Sequence, residues 1–203
     1  MSDSVSPREY WNKWNESHLE VNRPDSASQV RAAEVMRLVR QSAPANANIL
    51  EIGCANGWFA EPLSELGTVT GIDIADDSVQ MAQRRVPTGK FLAGDFLTMP
   101  LPPASFDIVV TMETIGNVLD HQRFIDRIAE LLKPGGHLVL SAQNKFVFER
   151  REDVGPPEPG LIRKWVDRPE LREITARDFR IVFLTTKMPA GHKGILRYTN
   201  SYR

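Results

Sequence analysis

Three groups of side chains in this 203-residue sequence have types and spacings that can do chemistry. The densest is LEIGCANG, where an apolar run ends in Glu51 and Ile52 and opens into Gly53, Cys54, Ala55, Asn56 and Gly57 before a helical pattern begins. Small residues let a ligand approach the backbone, and amides at the start of the following helix favour an anion, whether phosphate or carboxylate. The second group is two aspartates that close strand-like runs, Asp73 in VTGID and Asp95 in LAGDF. The third is four histidines, His18, His121, His137 and His192, whose ordinary pKa suits proton transfer near neutral pH. Cys54 is the single cysteine, so an intramolecular disulfide and a multi-cysteine metal cage are excluded, and no metal is expected.

These groups sit on an alternation of strand and helix. Ala32, Val35, Met36 and Val39 recur at helical spacing between Pro24 and Pro44. Residues 48–53 read as a strand buried on both faces, followed by a helix marked by Phe59, Leu63 and Leu66 and stopped by Gly67. Then come VTGIDI, a helix from Asp76 to Arg85, a short KFLAG strand, and the buried strand FDIVVTM. Asp120 reads as the N-cap of a helix carrying Phe124, Ile128 and Leu131, which Pro134, Gly135 and Gly136 end before the strand HLVLSA. Such alternation predicts an open, mostly parallel α/β sheet with function at the strand carboxyl ends. Residues 145–168 break the pattern as a long excursion of the kind that forms lids. After it, Pro169 to Asp178 reads as helix, and FRIVFLTT and ILRYTNS read as two closing strands.

Nucleotide chemistry is one reading of LEIGCANG. A dinucleotide fingerprint wants G-x-G-x-x-G, whereas this loop gives G-x-A-x-G with Trp58 where the last glycine belongs, so NAD fits poorly. The residues resemble instead the class I S-adenosylmethionine-dependent methyltransferases, of the small-molecule, quinone-biosynthesis-like group (types 11 and 12). The first motif of those enzymes is an acidic residue followed by G-x-G-x-G, matched here by Glu51, Gly53, Ala55 and Gly57. Ala55 departs from the pattern, tolerably if its φ is negative and at a cost if it is positive. The resemblance runs from about Ile49 to Asn144. It implies a three-layer, Rossmann-like fold with a seven-stranded sheet whose last strand is antiparallel.

It also implies that S-adenosylmethionine is the donor and S-adenosylhomocysteine the product. Asp73, with Ile74 beside it, would accept both ribose hydroxyls, Asp95 would accept the adenine amino group while Phe96 packs on the ring, and Cys54 and Met112 would line the donor. A turn-forming role is the plainer reading of both aspartates.

Methyl transfer from a sulfonium needs mainly alignment of nucleophile, methyl and sulfur. Where a base is required, His18, His121 and His192 are the candidates, His137 being placed as structural. Those relatives commonly carry a Glu-His pair after the fourth strand; Gly116 and Asn117 stand there instead, and Asn117 can orient a nucleophile but cannot act as a base at neutral pH. Tyr10, Trp11 and Trp14 suit a lid over the donor or substrate, and Asn144 and Phe146 open the excursion as further substrate candidates; core packing is the alternative for all the aromatics. Arg150, Arg151, Arg163 and Lys164 would suit an anionic substrate, with solvation the default for such side chains.

With 25 basic and 26 acidic residues the chain lacks the broad positive field of a nucleic-acid binder. No run approaches the length of a membrane span and the polar start lacks a signal-peptide core, so the cytoplasm is the default expectation. The expectation is one domain over 1–203, with a cap at 1–26 and a lid at 145–168, acting on a small-molecule oxygen or nitrogen as a monomer or homodimer. Arg203 fits a natural end or a trimmed one. A nicotinamide-dependent oxidoreductase and a non-catalytic S-adenosylmethionine-binding module are the competing readings.

Overall fold

The apolar runs become parallel strands of one sheet. The computed structural model describes residues 5–18 and 26–186, apart from the side chains of Ser17 and His18. Their elements are α1 (Pro7–His18), α2 (Ser26–Ser42), β1 (Ala47–Ile52), α3 (Ala60–Leu63), β2 (Gly67–Asp73), α4 (Asp76–Arg85), β3 (Lys90–Ala93), β4 (Phe106–Met112), a 3-10 turn (Ile115–Asn117), α5 (His121–Leu131), β5 (Leu132–Ser141), α6 (Lys145–Phe148) and α7 (Arg168–Thr175). The strand order is β3-β2-β1-β4-β5, every pair parallel. The chain steps from β1 outward through β2 to β3, then returns to the other side of β1 as β4. That reversal opens a crevice at the carboxyl ends of β1 and β4, where an open α/β sheet binds its ligand.

β1 has Ile49, Leu50 and Ile52 buried because both faces of the sheet are covered. One face packs Val35, Met36 and Val39 of α2 and Ala82 of α4 against Ile49, Val69, Ile108 and Val110. The other packs Phe124, Ile125, Ile128 and Leu131 of α5 against Leu50, Ile72 and Val109. α5 starts where its N-cap predicts: Asp120 Oδ1 accepts the Arg123 amide at 3.0 Å.

The sheet departs from the expectation of seven strands with an antiparallel last strand: the described residues form five, all parallel. Residues 179–186, read as a strand, join no ladder with the described residues, and Val182 is 71% exposed. An apolar run becomes a strand only where a neighbouring strand takes up its amides and carbonyls. ILRYTNS lies outside the described residues. β5 starts at Leu132, ahead of HLVLSA, and its register against β4 shifts across Pro134-Gly135-Gly136 before resuming at His137 opposite Ile108. The helix around Phe59 is a single turn, α3, and Gly67 opens β2 rather than stopping a helix.

Two segments cap the carboxyl edge. On one side α1 docks on the start of α4, where Asn12 Oδ1 accepts the Asp76 amide at 3.1 Å and Arg8 pairs with Asp76 at 3.3 Å. On the other, the excursion is tied down at both ends, by the Lys145 amide donating to Val166 O at 3.0 Å and the Lys164 amide donating to Gly116 O at 2.8 Å. The two caps touch: a Cβ on Gly160 would lie 2.8 Å from Val5 Cγ1 and 3.0 Å from Tyr10 Cβ. α7 then begins at a capping box in which Asp167 and Glu170 satisfy each other's amides at 2.9 Å.

Candidate active site

The loop after β1 is drawn down onto the end of β2. The Gly53 and Cys54 amides both donate to Ile72 O, at 2.8 and 3.0 Å. Gly53 and Gly57 have φ of +77° and +76°, and a Cβ on them would lie 2.2 Å from Thr114 Oγ1 and 2.8 Å from Ala82 Cα, so neither position accepts a side chain. Ala55 is also left-handed, with φ +44°, the costly case for an alanine. Its amide donates to Asp73 Oδ2 at 2.9 Å, which holds the strained turn in place. Thr114 closes the floor by donating to Ile52 O at 3.1 Å, joining the ends of β1 and β4.

Two carboxylates, buried Glu51 and half-buried Asp73, flank this cradle. Glu51 is only 3% exposed and its Oε2 has no hydrogen-bond partner, a costly state for a buried polar atom unless a ligand supplies one. Burial, and then the charge of Asp73, pushes the Glu51 carboxyl well above its ordinary value. Asp73 is raised too, by burial, against which the Ala75, Ala55 and Ile74 amides pull downward. Its Oδ1 accepts the Ala75 amide at 2.9 Å, so the turn-forming role is real. It does not exhaust the carboxylate, since each oxygen carries a second lone pair. Cys54 lies 1% exposed with its thiol pushed strongly upward by burial, so it is an inert wall.

The remaining predicted residues divide. Ile74 follows Asp73 at the β2 end, and Met112 closes β4 half-buried beneath the loop. Asp95 is exposed and its Oδ1 accepts the Leu97 amide at 2.9 Å, the turn role expected of it. The expectation that Phe96 packs on a ligand ring is not what its side chain does: the ring is 6% exposed and edge-on to Phe124 at 5.3 Å, committed to the core. Asn117 lies in the 3-10 turn, its amide nitrogen donating to Glu113 O at 3.3 Å. His121 is buried at the first turn of α5, with Nε2 lacking a partner. Burial, and then the Lys164 charge, lowers its pKa. His137 stands at the opposite, amino end of the sheet beside Asp107 and Lys133. The His18 side chain and all of His192 lie outside the described residues.

Among the aromatics, Tyr10, Trp11 and Trp14 form an edge-to-face chain on α1 with centroids 5.2 and 5.7 Å apart. Asn144 caps α6 by accepting the Phe146 amide at 3.0 Å, while the Phe146 ring is 62% exposed beneath the Arg150 guanidinium. Sequence reasoning missed Arg31, whose Nε lies 3.7 Å from Glu113 Oε1 at the end of β4. Nothing in the spacing of α2 signals that contact. Among the described residues no cluster of His, Cys, Asp and Glu could hold a metal, and no helix is long and apolar enough to cross a membrane.

Residues 50–140 match the family model for a methyltransferase domain. A probable S-adenosylmethionine-dependent methyltransferase of Mycolicibacterium smegmatis is 30% identical over 131 residues, covering 64% of this chain and 50% of that protein. A ubiquinone biosynthesis O-methyltransferase of Xanthomonas euvesicatoria is 36% identical over 113 residues, covering 50% of this chain and 45% of that one. The chain spans about half the length of the curated relatives it matches. An S-adenosylmethionine-dependent methyltransferase structure from Mesorhizobium loti superposes with TM-score 0.63 at 19% identity, over 75% of this chain and 83% of that one. The [4+2]-cyclase SpnF superposes with TM-score 0.65 at 20% identity, over 85% and 72%. The glycine cradle and the acidic residues beside it lie within the stretch, residues 50–140, that is similar to a methyltransferase domain, and the relatives similar to this chain are named as S-adenosylmethionine-dependent or ubiquinone-biosynthesis methyltransferases.

Proposed function

We propose that this protein transfers a methyl group from S-adenosylmethionine to an oxygen or nitrogen of a small-molecule acceptor. The observation that carries the choice of donor is the pair of carboxylates, buried Glu51 and half-buried Asp73, flanking a loop whose Gly53 and Gly57 accept no side chain. A pyrophosphate at that loop would bring more negative charge to two carboxylates already raised by burial and, at Glu51, by mutual repulsion. A donor with a sulfonium and an ammonium brings the opposite charge and offers Glu51 Oε2 a hydrogen-bond donor. The fit therefore favours S-adenosylmethionine over NAD.

In this reading Glu51 and the loop at 53–57 hold the amino-acid end, Asp73 the ribose diol, and Asp95 with the Phe96 backbone the adenine. When bound, the donor supplies an already activated methyl group. The chain aligns the acceptor from the β4 and β5 side, with α1 and the excursion excluding water. Asn117 sits in the turn after β4 and would orient the acceptor, and His121 at the start of α5, its pKa lowered by burial, is our candidate to accept a proton. The ubiquinone relative acts at oxygen according to its name, which supports an oxygen acceptor. The SpnF superposition is a reminder that the fold alone does not settle the reaction.

The test is calorimetric titration of the purified chain with S-adenosylmethionine, S-adenosylhomocysteine and NAD. Saturable binding of the first two without NAD is expected. Binding of NAD alone overturns the reading. Donor binding without turnover in an acceptor screen would leave the non-catalytic module in its place.

A further inference from the structure

Beyond the donor cradle, a cavity of about 300 Å³ lies under the excursion, lined by His121, Lys145, Glu149, Arg163, Lys164 and Trp165 together with Glu170. It adjoins the end of β4, because the Lys164 amide is bonded to Gly116 O in the 3-10 turn that follows that strand. Its charges are not balanced group by group. Glu170 pairs with Lys145 at 2.7 Å, and Glu149 also acts on Lys145, so both carboxylates gather around one cation. The other two cations bond only to carbonyls: Lys164 Nζ donates to Leu119 O at 2.8 Å, and Arg163 donates to Gly155 O. Arg163 lies over the Trp165 ring at 5.3 Å and exerts its charge on the Tyr10 hydroxyl of α1, so it stands where the two caps meet. The buried Nε2 of His121, which has no hydrogen-bond partner, lines the same cavity.

The contrast with the rest of the segment is informative. Of the four basic residues between positions 150 and 164, Arg151 is paired with Asp153 and stacked on Phe148. Arg150 is exposed, over Phe146. Arg163 and Lys164 line the cavity and lack a carboxylate partner among the described residues. Carbonyl oxygens are weaker partners for a guanidinium and an ammonium than an oxyanion is. From this juxtaposition we infer that the methyl acceptor carries an oxyanion, carboxylate or phosphate, held between Arg163 and Lys164 with a planar group against Trp165. The inference rests on the methyl-transfer reading for its choice of occupant, and it adds the substrate class.

The experiment uses the full chain and three probes of similar shape, benzoate, phenyl phosphate and the neutral benzamide, titrated by ligand-observed NMR with and without S-adenosylhomocysteine. One or both anions should bind at least about tenfold more tightly than benzamide, and whichever anion binds better names the source of the charge. Arg163→Ala and Lys164→Ala should each weaken that anion at least about fivefold with S-adenosylhomocysteine affinity unchanged, while Arg151→Ala should change neither. Melting curves confirm that the variants fold; because Lys164 also holds Leu119 O, Lys164→Gln and Arg163→Gln provide a second pair that keeps length and polarity. Equal binding of benzoate, phenyl phosphate and benzamide overturns the inference, as does a loss no greater in the Arg163 and Lys164 variants than in Arg151→Ala. Anion binding at the predicted residues without any binding of S-adenosylhomocysteine would leave the anion site standing and remove the methyl-transfer reading.

Discussion

Glu51 is a residue whose stability cost and ligand affinity have one origin. Its carboxyl is raised well above the ordinary 4.5 by burial, and then by the charge of Asp73. An acid raised in the folded state binds its proton more tightly folded than unfolded, so its stabilising contribution is full on the acid side. That contribution is lost as pH climbs from the ordinary value through the raised one. The melting temperature of the ligand-free protein should therefore fall as pH rises above about 4.5, and Glu51→Gln should flatten that fall by removing the titration. A cationic donor favours the ionised carboxylate, so binding should release a proton and tighten with pH. Calorimetry in buffers of different ionisation enthalpy reads the proton directly, and Glu51→Gln should abolish much of the release. Asp73→Ala removes the diol acceptor and the anchor of the Ala55 amide together, and should weaken S-adenosylhomocysteine binding by about 1 to 3 kcal/mol. Unchanged affinity would refute its assignment to the ribose.

At the scale of elements, the loop after β1 carries strain that its sequence alone could not disclose. Ala55 holds a φ of +44°, which costs an alanine roughly 1 to 2 kcal/mol, partly offset in the comparison with glycine by the greater unfolded-state freedom of glycine. Ala55→Gly should thus raise stability by up to about 1 kcal/mol and leave donor binding equal or tighter, as read by urea denaturation and titration. A destabilised Ala55→Gly protein would mean that the Asp73 bond has already relaxed the turn. The strands β1 and β4 and the helix α4 were legible because apolar runs bounded by Gly, Pro and Asp report local geometry. The five-strand outcome was not, since residues 179–186 have strand-like composition and only a partner could make them a strand. Nor could spacing separate Arg163 and Lys164, at the cavity, from Arg150 and Arg151. Exposure is fixed by how the excursion folds back on Gly116, a contact 48 residues away in sequence.

For the whole molecule, the question is how a sheet with an open carboxyl edge would exclude water from the proposed methyl transfer. The caps come from far-separated parts of the chain and are individually weak. The Arg8 to Asp76 pair joins half-exposed partners, 46% and 44%, and is worth about 0 to 1 kcal/mol. The Asn12 side chain, which accepts the Asp76 amide, substitutes for the side-chain cap that Ala75 cannot give α4. Against each other the caps make a closer fit, since Gly160, with φ +88°, lets the excursion approach Tyr10 and Val5. Closure over the donor should then be cooperative: ordering either segment orders the other. Amide exchange should slow in residues 7–18 and 155–165 together when S-adenosylhomocysteine binds, and by a common factor. Gly160→Val, whose branched side chain fits neither the backbone angle nor the space, should separate them. Residues 7–18 would lose their ligand-induced protection and donor affinity would fall several-fold, while exchange in β1 and β4 stays slow. Protection of residues 7–18 that survives Gly160→Val unchanged would show that α1 closes through Asn12 and Asp76 alone.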